Sequence, residues 1–223
     1  MPLRLALFDL DGTLADTAPD IARAVNLALS EIGRPPLALT TVRSLVSSGA
    51  RALLRAGLDG AAPADADMER LLERLFAYYG EAPVVKTRVF SGLKPLIAEL
   101  AESGIAWGVV SNKPIRLVEP IVVALGLAPA PVCVIGGDSL ARKKPDPLPL
   151  LTACERASVE PGETIYVGDA EIDVLAARAA AMRVVIAGFG YAPPAAEVAR
   201  WNPQPEFYVP TVAKLGRVLI CRP

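Results

Sequence analysis

Asp9 and Asp11 stand two residues apart in Phe8-Asp9-Leu10-Asp11-Gly12-Thr13, where the apolar run Leu3 to Phe8 ends. Side chains alternate along an extended chain, so both acids face one way while Leu10 points back into the core. At an effective dielectric of about 20, unit charges ~4 Å apart repel by roughly 4 kcal/mol. Such a pair binds a cation, shares a proton or stays solvated, and the spacing alone does not choose among these. Gly12 lets the chain turn sharply and Thr13 offers a hydroxyl, although the same residue types also make an ordinary strand-end turn.

Further polar groups follow other apolar runs. Ser111, Asn112 and Lys113 come after Ile105 to Val110, where a hydroxyl and an amide can bond phosphoryl oxygens or simply form a turn. After Val132 to Ile135 the chain reads Gly136-Gly137-Asp138-Ser139 and then Arg142-Lys143-Lys144-Pro145-Asp146-Pro147. A basic cluster of this kind is commonly a solvated loop, but Pro145 and Pro147 stiffen it enough to hold a lysine in one direction. After Thr164 to Val167 comes Gly168-Asp169-Ala170-Glu171-Ile172-Asp173. A helix N-terminal role accounts for Asp173 by itself and leaves Asp169 unexplained.

Histidine is absent from all 223 residues, which removes Ser-His-Asp, Cys-His and H-E-x-x-H chemistry. Acids and bases must therefore be Asp, Glu, Lys, Tyr, Cys or water. Cys133, Cys154 and Cys221 are far apart and outside any C-x-x-C spacing, as expected of reduced thiols, with Cys133 in the core. The chain is 52% apolar with a formal net charge of -1, and no basic tract marks a nucleic-acid partner. No apolar run is long enough to span a membrane and no signal-peptide pattern precedes Leu3, so no membrane association and a cytoplasmic location are expected.

The elements that must position these groups alternate. Strands are predicted at Leu3 to Phe8, Ile105 to Val110, Val132 to Ile135, Thr164 to Val167, Val184 to Ala187 and Phe207 to Val209. Helices are predicted at Lys94 to Ser103, Ile115 to Leu125, Pro147 to Ala157, Asp173 to Met182 and Val212 to Val218. This is the pattern of an α/β fold, a Rossmann-like parallel sheet with helices on both faces. From Asp16 to Ala82 only helices are predicted, at Pro19 to Ile32, Thr41 to Val46, Ala50 to Leu58 and Asp67 to Tyr79. Residues 16–82 thus read as an all-helical cap domain inserted after the first strand, with 1–15 and 83–223 as the core. The alternative is that these helices pack on the sheet edge. Ala128 to Pro131 and Pro193 to Pro205 read as proline-rich loops.

In a parallel sheet the carboxyl ends of the strands share one edge, so these groups can converge. Several carboxylates without histidine or thiolate suit Mg2+, which keeps waters and accepts phosphate oxygens. Lys144 and such an ion would offset a phosphate dianion that the acids alone would repel. Phosphoryl transfer is the reaction class that uses all of these parts.

In their order and at these strand ends, the D-x-D-G-T, Ser-Asn, Lys-Pro and G-D-x-x-x-D elements resemble the haloacid dehalogenase-like phosphatases over almost the whole chain. Within that family the chain looks most like bacterial phosphoglycolate phosphatases. The similarity lies in Leu14-Ala15-Asp16-Thr17-Ala18-Pro19-Asp20, Val25-Asn26, Leu29, Gly49-Ala50-Arg51-Ala52-Leu53-Leu54, Ser111-Asn112-Lys113-Pro114 and Gly136-Gly137-Asp138-Ser139. The resemblance implies that Asp9 attacks phosphorus and that Asp11 protonates the leaving oxygen and then activates water. It implies Mg2+ held by Asp9, the Asp11 carbonyl and Asp169, with Asp173 supporting that shell. Ser111 and Lys144 would hold the phosphate with Asn112 and Thr13 nearby, and Lys144 would also contact Asp9.

Some positions differ from the pattern. Ser47-Ser48-Gly49 stands where similar sequences often carry Gly-x-Gly, and Ala170 and Ile172 replace residues that are often polar. Arg51 reads either as a partner for a substrate carboxylate or as a surface helix arginine. Asp16 reads either as a helix cap at the hinge side or as a site group. Asp11 argues against dehalogenation and phosphonate cleavage, whereas a sugar-phosphate phosphatase or phosphomutase would retain it. The partner implied is a small phosphorylated metabolite, with 2-phosphoglycolate leading, acted on by a monomer or homodimer. A catalytically silent metabolite-binding domain is the alternative outside enzymology.

Overall fold

The computed structural model describes residues 2–58 and 65–220. In chain order the elements are β1 (Leu5–Phe8), β2 (Ala15–Asp16), α1 (Ala18–Ser30), α2 (Leu39–Leu45), a 3-10 turn (Val46–Ser48), α3 (Ala50–Gly57), α4 (Asp65–Glu81), β3 (Arg88–Val89) and α5 (Leu93–Glu102). They continue with β4 (Ala106–Val110), α6 (Ile115–Leu125), β5 (Val134–Ile135), α7 (Leu148–Ala157), a 3-10 turn (Pro161–Glu163) and β6 (Thr164–Gly168). The last are α8 (Glu171–Ala179), β7 (Arg183–Ala187), α9 (Ala195–Val198), β8 (Phe207–Val209) and α10 (Val212–Ile220). Contacts divide the chain into two compact units, Met1–Ala15 with Val89–Pro223 and Asp16–Arg88.

The first unit is built on a six-stranded sheet in the order β5-β4-β1-β6-β7-β8. Every neighbouring pair is parallel, with Leu5 registered against both Ala106 and Thr164. The strands are apolar at consecutive positions because both faces are covered. Leu5, Leu7, Tyr166, Val184 and Ile186 pack with Leu150, Ala153 and Cys154 of α7 and Val174, Ala176 and Ala177 of α8. The alternate residues Ala6, Phe8, Ile165, Val167 and Val185 are equally buried, and Phe8 meets Trp107 of β4 edge to face. Since the chain runs outward from β1 through β4 to β5 and then crosses to β6, the carboxyl ends of β1, β4 and β6 lie side by side. That crossing is where open α/β sheets gather their ligands.

The second unit is helical, with α1 packed on α4 through buried Ile21, Val25, Leu29, Leu71, Leu72, Leu75 and Tyr79. Asn26, within the similarity noted above, brackets the backbone of Leu37 through both its amide nitrogen and its oxygen. Asp20 is buried and accepts from the backbone N–H groups of Val85, Lys86 and Thr87 and from the Thr87 hydroxyl. A buried carboxylate with four donors is satisfied where an isolated one would be costly.

Three differences from expectation have local causes. β2 and β3 are two-residue strands, too short to leave an alternation in sequence. Helix α9 lies inside the proline-rich stretch read as a loop, with Pro194 as its N-cap, a stretch where proline seeds a turn of helix rather than preventing one. Helix α8 begins at Glu171, so Asp173 sits within its first turn. Cys133 and Cys154 are buried free thiols, and Cys133 joins the sheet core as expected. Burial pushes the Cys133 thiol up to about 11, away from the reactive thiolate. Cys221 lies outside the described residues. Among those residues, no helix is long and apolar enough to cross a membrane.

Candidate active site

Asp9 follows β1 directly and is still tied to the sheet, its N–H donating to Val167 O at 2.9 Å. It continues the face that carries Leu5 and Leu7, which is also the face of Tyr166 on β6. Beyond it the chain folds back, with Gly12 N–H donating to Ala15 O at 3.0 Å. Gly12 has φ +77°, and a Cβ there would lie 2.4 Å from the Tyr191 ring and 2.6 Å from Asp169 Oδ2. Glycine is thus required at this turn twice over, by conformation and by contact.

Lys144 is the centre of the constellation. Its Nζ lies 2.7 Å from Asp173 Oδ1, 2.6 Å from Tyr166 Oη and 3.1 Å from Asp9 Oδ1, and all four residues are buried. The ammonium hydrogen-bonds Tyr166 and Asp173 and forms an ion pair with Asp9. The Tyr166 hydroxyl in turn donates to Val110 O at 2.8 Å, tying Lys144 to β4. Asp173 uses its other oxygen to accept from the N–H groups of Asp169 and Ala170, each at 3.1 Å. It therefore caps α8 and pairs with Lys144 at once, so the helix-cap reading and the site reading both hold for the same side chain.

Burial pushes the Asp9 carboxyl up to about 6 from 3.8; Lys144 opposes that rise, and Asp173 and Asp11 add to it. For Lys144, burial favours loss of the proton, but Asp173 and Asp9 outweigh it and hold the amine above the ordinary lysine range. Burial, reinforced by Asp173 and Asp9, keeps the Tyr166 phenol protonated well beyond its usual range.

Carboxylate oxygens of Asp9, Asp169 and Asp173 lie within 4.8 Å of one another, and all three residues are buried. Hard oxygen donors gathered out of water fit a dication such as Mg2+. With both Asp173 oxygens engaged by Lys144 and the backbone, Asp9 and Asp169 are the acids better placed to ligate, and Asp173 is better placed to support them.

Asp11 is paired with Lys113, Nζ to Oδ1 at 2.6 Å, and their side chains are 13% and 8% exposed. Ser111 is buried at the end of β4, and its Oγ accepts from Lys113 N–H at 3.4 Å. Asn112 spends its amide nitrogen on Lys144 O at 2.9 Å, so it holds the lysine loop in place. Thr13 is buried, and its hydroxyl has no hydrogen-bond partner among the described residues. Arg51 lies in the helical unit on α3, where its guanidinium pairs with Glu69. Asp16 lies in β2 and pairs with Arg43 at 2.6 Å.

Tyr166 and Lys113 are site residues that sequence spacing does not single out. A hydroxyl-bearing side chain inside the apolar run Thr164 to Val167 was the available signal for Tyr166. Lys113 had only its adjacency to Ser111 and Asn112.

A model of the haloacid dehalogenase-like hydrolases matches residues 6–187, which takes in every site residue from Asp9 to Asp173. The chain belongs to this family. Among curated relatives, this haloacid dehalogenase-like hydrolase is 44% identical over 191 residues to the phosphoglycolate phosphatase of Xanthomonas campestris pv. campestris, with 84% of each chain covered. It is 36% identical over 202 residues to the N-acetylmuramic acid 6-phosphate phosphatase of Pseudomonas aeruginosa, covering 91% of this chain and 89% of that one. The crystal structure of a predicted phosphoglycolate phosphatase from Haemophilus somnus superposes with a TM-score of 0.81 at 28% identity, covering 96% and 97% of the two chains. The resemblance read from the sequence is thus borne out, and the protein is a phosphatase of this family.

Proposed function

We propose that this chain is an Mg2+-dependent phosphomonoesterase working through an aspartyl phosphate on Asp9, with 2-phosphoglycolate as substrate. The observation that carries the mechanism is the buried bridge of Lys144 between Asp9 and Asp173. It aims the Asp9 carboxylate and opposes the effect of burial, which favours the proton that would block attack. Asp9 forms a bond to phosphorus as the bond to the leaving oxygen breaks, and Asp11 supplies the proton that the departing alcohol takes. Water then attacks the aspartyl phosphate, Asp11 takes up its proton, and inorganic phosphate leaves with Asp9 regenerated.

Asp9, Asp169 and the Asp11 carbonyl would hold Mg2+, which supplies positive charge against the transferring phosphoryl group. Ser111 and Thr13 would bond the phosphate oxygens. Lys144, hydrogen-bonded to Asp173 and Tyr166 and ion-paired with Asp9, fixes Asp9 and adds positive charge beside the phosphate. Residues 16–88 act as the substrate-selecting cap, a role supported by the insertion of this unit between β1 and β4.

The substrate follows the phosphoglycolate phosphatase relatives. A second reading, a sugar phosphate, is favoured by the N-acetylmuramic acid 6-phosphate phosphatases at 36% identity. Comparing 2-phosphoglycolate with sugar phosphates, nucleotides and pyrophosphate decides between them. The highest kcat/KM is expected for 2-phosphoglycolate, abolished by EDTA and restored by Mg2+. A sugar phosphate turned over far better would transfer the assignment to the second reading, and chelator-insensitive turnover would contradict the metal.

A further inference from the structure

Two ammonium groups stand in the site, one paired with Asp9 and Asp173 and the other with Asp11. Lys144 hydrogen-bonds Tyr166 and Asp173 and pairs with Asp9. Lys113 stands instead on Asp11, at 2.6 Å, with almost all of its side chain out of solvent. Its backbone is fixed from both sides. Lys113 O accepts from Gly137 N–H at 2.8 Å, and Lys113 N–H donates to Ser111 Oγ. Long lysine side chains normally keep the charged end in water, and the pairing with Asp11 is what allows this one to be largely buried.

We propose that Lys113 selects for phosphate monoesters whose leaving alcohol carries a carboxylate close to the ester oxygen. This rests on the reading of Asp11 as the acid for that oxygen. A general acid works within about 3 Å of the atom it protonates, so a lysine on the same carboxyl group lies within roughly 6 Å of the leaving oxygen. A carboxylate one carbon away from that oxygen enters the same space. Without Lys113 it would enter a site rich in carboxylates with no cation on the leaving-group side. With Lys113 it meets a positive charge held in place by the chain. Charge selection at the leaving group is thereby separated from the handling of the phosphate, which falls to Ser111, Thr13 and the metal site.

The rival role for Lys113 is to hold Asp11 and nothing more, and a pair of substrates distinguishes the two. 2-Hydroxyethyl phosphate replaces the carboxylate of 2-phosphoglycolate with an uncharged group and still needs Asp11 for an equally poor leaving alcohol. The ratio of kcat/KM for the two esters is measured in wild type, Lys113→Met and Lys113→Arg. The proposal expects Lys113→Met to lower the ratio favouring 2-phosphoglycolate by about tenfold or more, and Lys113→Arg to restore much of it. An unchanged ratio, whether both rates fall together or neither falls, overturns it.

If Lys113→Met is too slow to assay, calorimetric binding of the two esters to Asp9→Asn with and without Lys113→Met reads the same preference. Loss of affinity confined to 2-phosphoglycolate supports the proposal, and equal loss or no loss overturns it. The function itself fails separately, through the wild-type preference for another substrate, which leaves the variant-to-wild-type change in ratio readable.

Discussion

At the scale of single residues, the Lys144 ammonium is aimed at Asp9 by the two hydrogen bonds it makes to Tyr166 and Asp173. Tyr166 Oη, 2.6 Å from Lys144 Nζ, is an acceptor that contributes no charge but fixes the direction in which the ammonium faces Asp9. Tyr166→Phe removes that acceptor and leaves Val110 O without its donor, while the ring still fills the core. A hydrogen bond to a charged group is worth about 1.5–3 kcal/mol, so kcat is expected to fall about tenfold or more, with KM changing by less than about threefold. Steady-state kinetics check this. A rise in KM with kcat intact would mean that Lys144 acts on the substrate and not on Asp9.

At the scale of elements, what was legible in the sequence was whatever leaves a period or a run. β1, β4, β6 and β7 are continuous apolar stretches because the sheet is covered on both faces, and the breaks after them exposed the polar tips in order. The acids Asp9 and Asp169 could be picked out because charged groups at the ends of such runs have no packing reason to be there, and Lys144 because Pro145 and Pro147 stiffen its loop. Tertiary relations were not legible. Nothing local says that Asn112 serves the Lys144 loop, or that Asp20 binds a backbone segment more than sixty residues away. Gly136-Gly137-Asp138-Ser139 read as a family feature, and its work proves to be support. Gly137 lies so close to the β4 tip that a Cβ would stand 2.2 Å from Asn112 O, and Asp138 accepts from Ile115 N–H to start α6. Those contacts hold Asn112 and Lys113 at the site, a role set by approach in space and so invisible in spacing.

At the scale of the whole molecule, the buried Asp9 carboxylate that serves the reaction costs stability when no metal is bound. The Asp9 carboxyl lies at about 6 in the fold against 3.8 for the ordinary group. A raised value means that the folded state holds this proton more tightly. The stability it contributes is fully present below about pH 3.8 and is lost as pH rises through about 6. In chelator, Asp9→Asn is therefore expected to be more stable than wild type near neutral pH by on the order of 3 kcal/mol, with the gap closing toward about pH 4. Denaturant titrations across that range check it, and a gap that does not vary with pH would contradict the burial cost assigned to Asp9. Asparagine keeps the size and much of the polarity at this position, so packing changes little.

Asp9 is expected to become covalently phosphorylated during turnover. The most direct measurement of this is to quench the enzyme while it hydrolyses 2-phosphoglycolate with Mg2+, reduce the acyl phosphate with borohydride, and map the modified residue by peptide mass spectrometry. The account predicts reduction at Asp9, absent in Asp9→Asn, in chelator and without substrate. Undiminished turnover by Asp9→Asn, or trapping at a different residue, would contradict it.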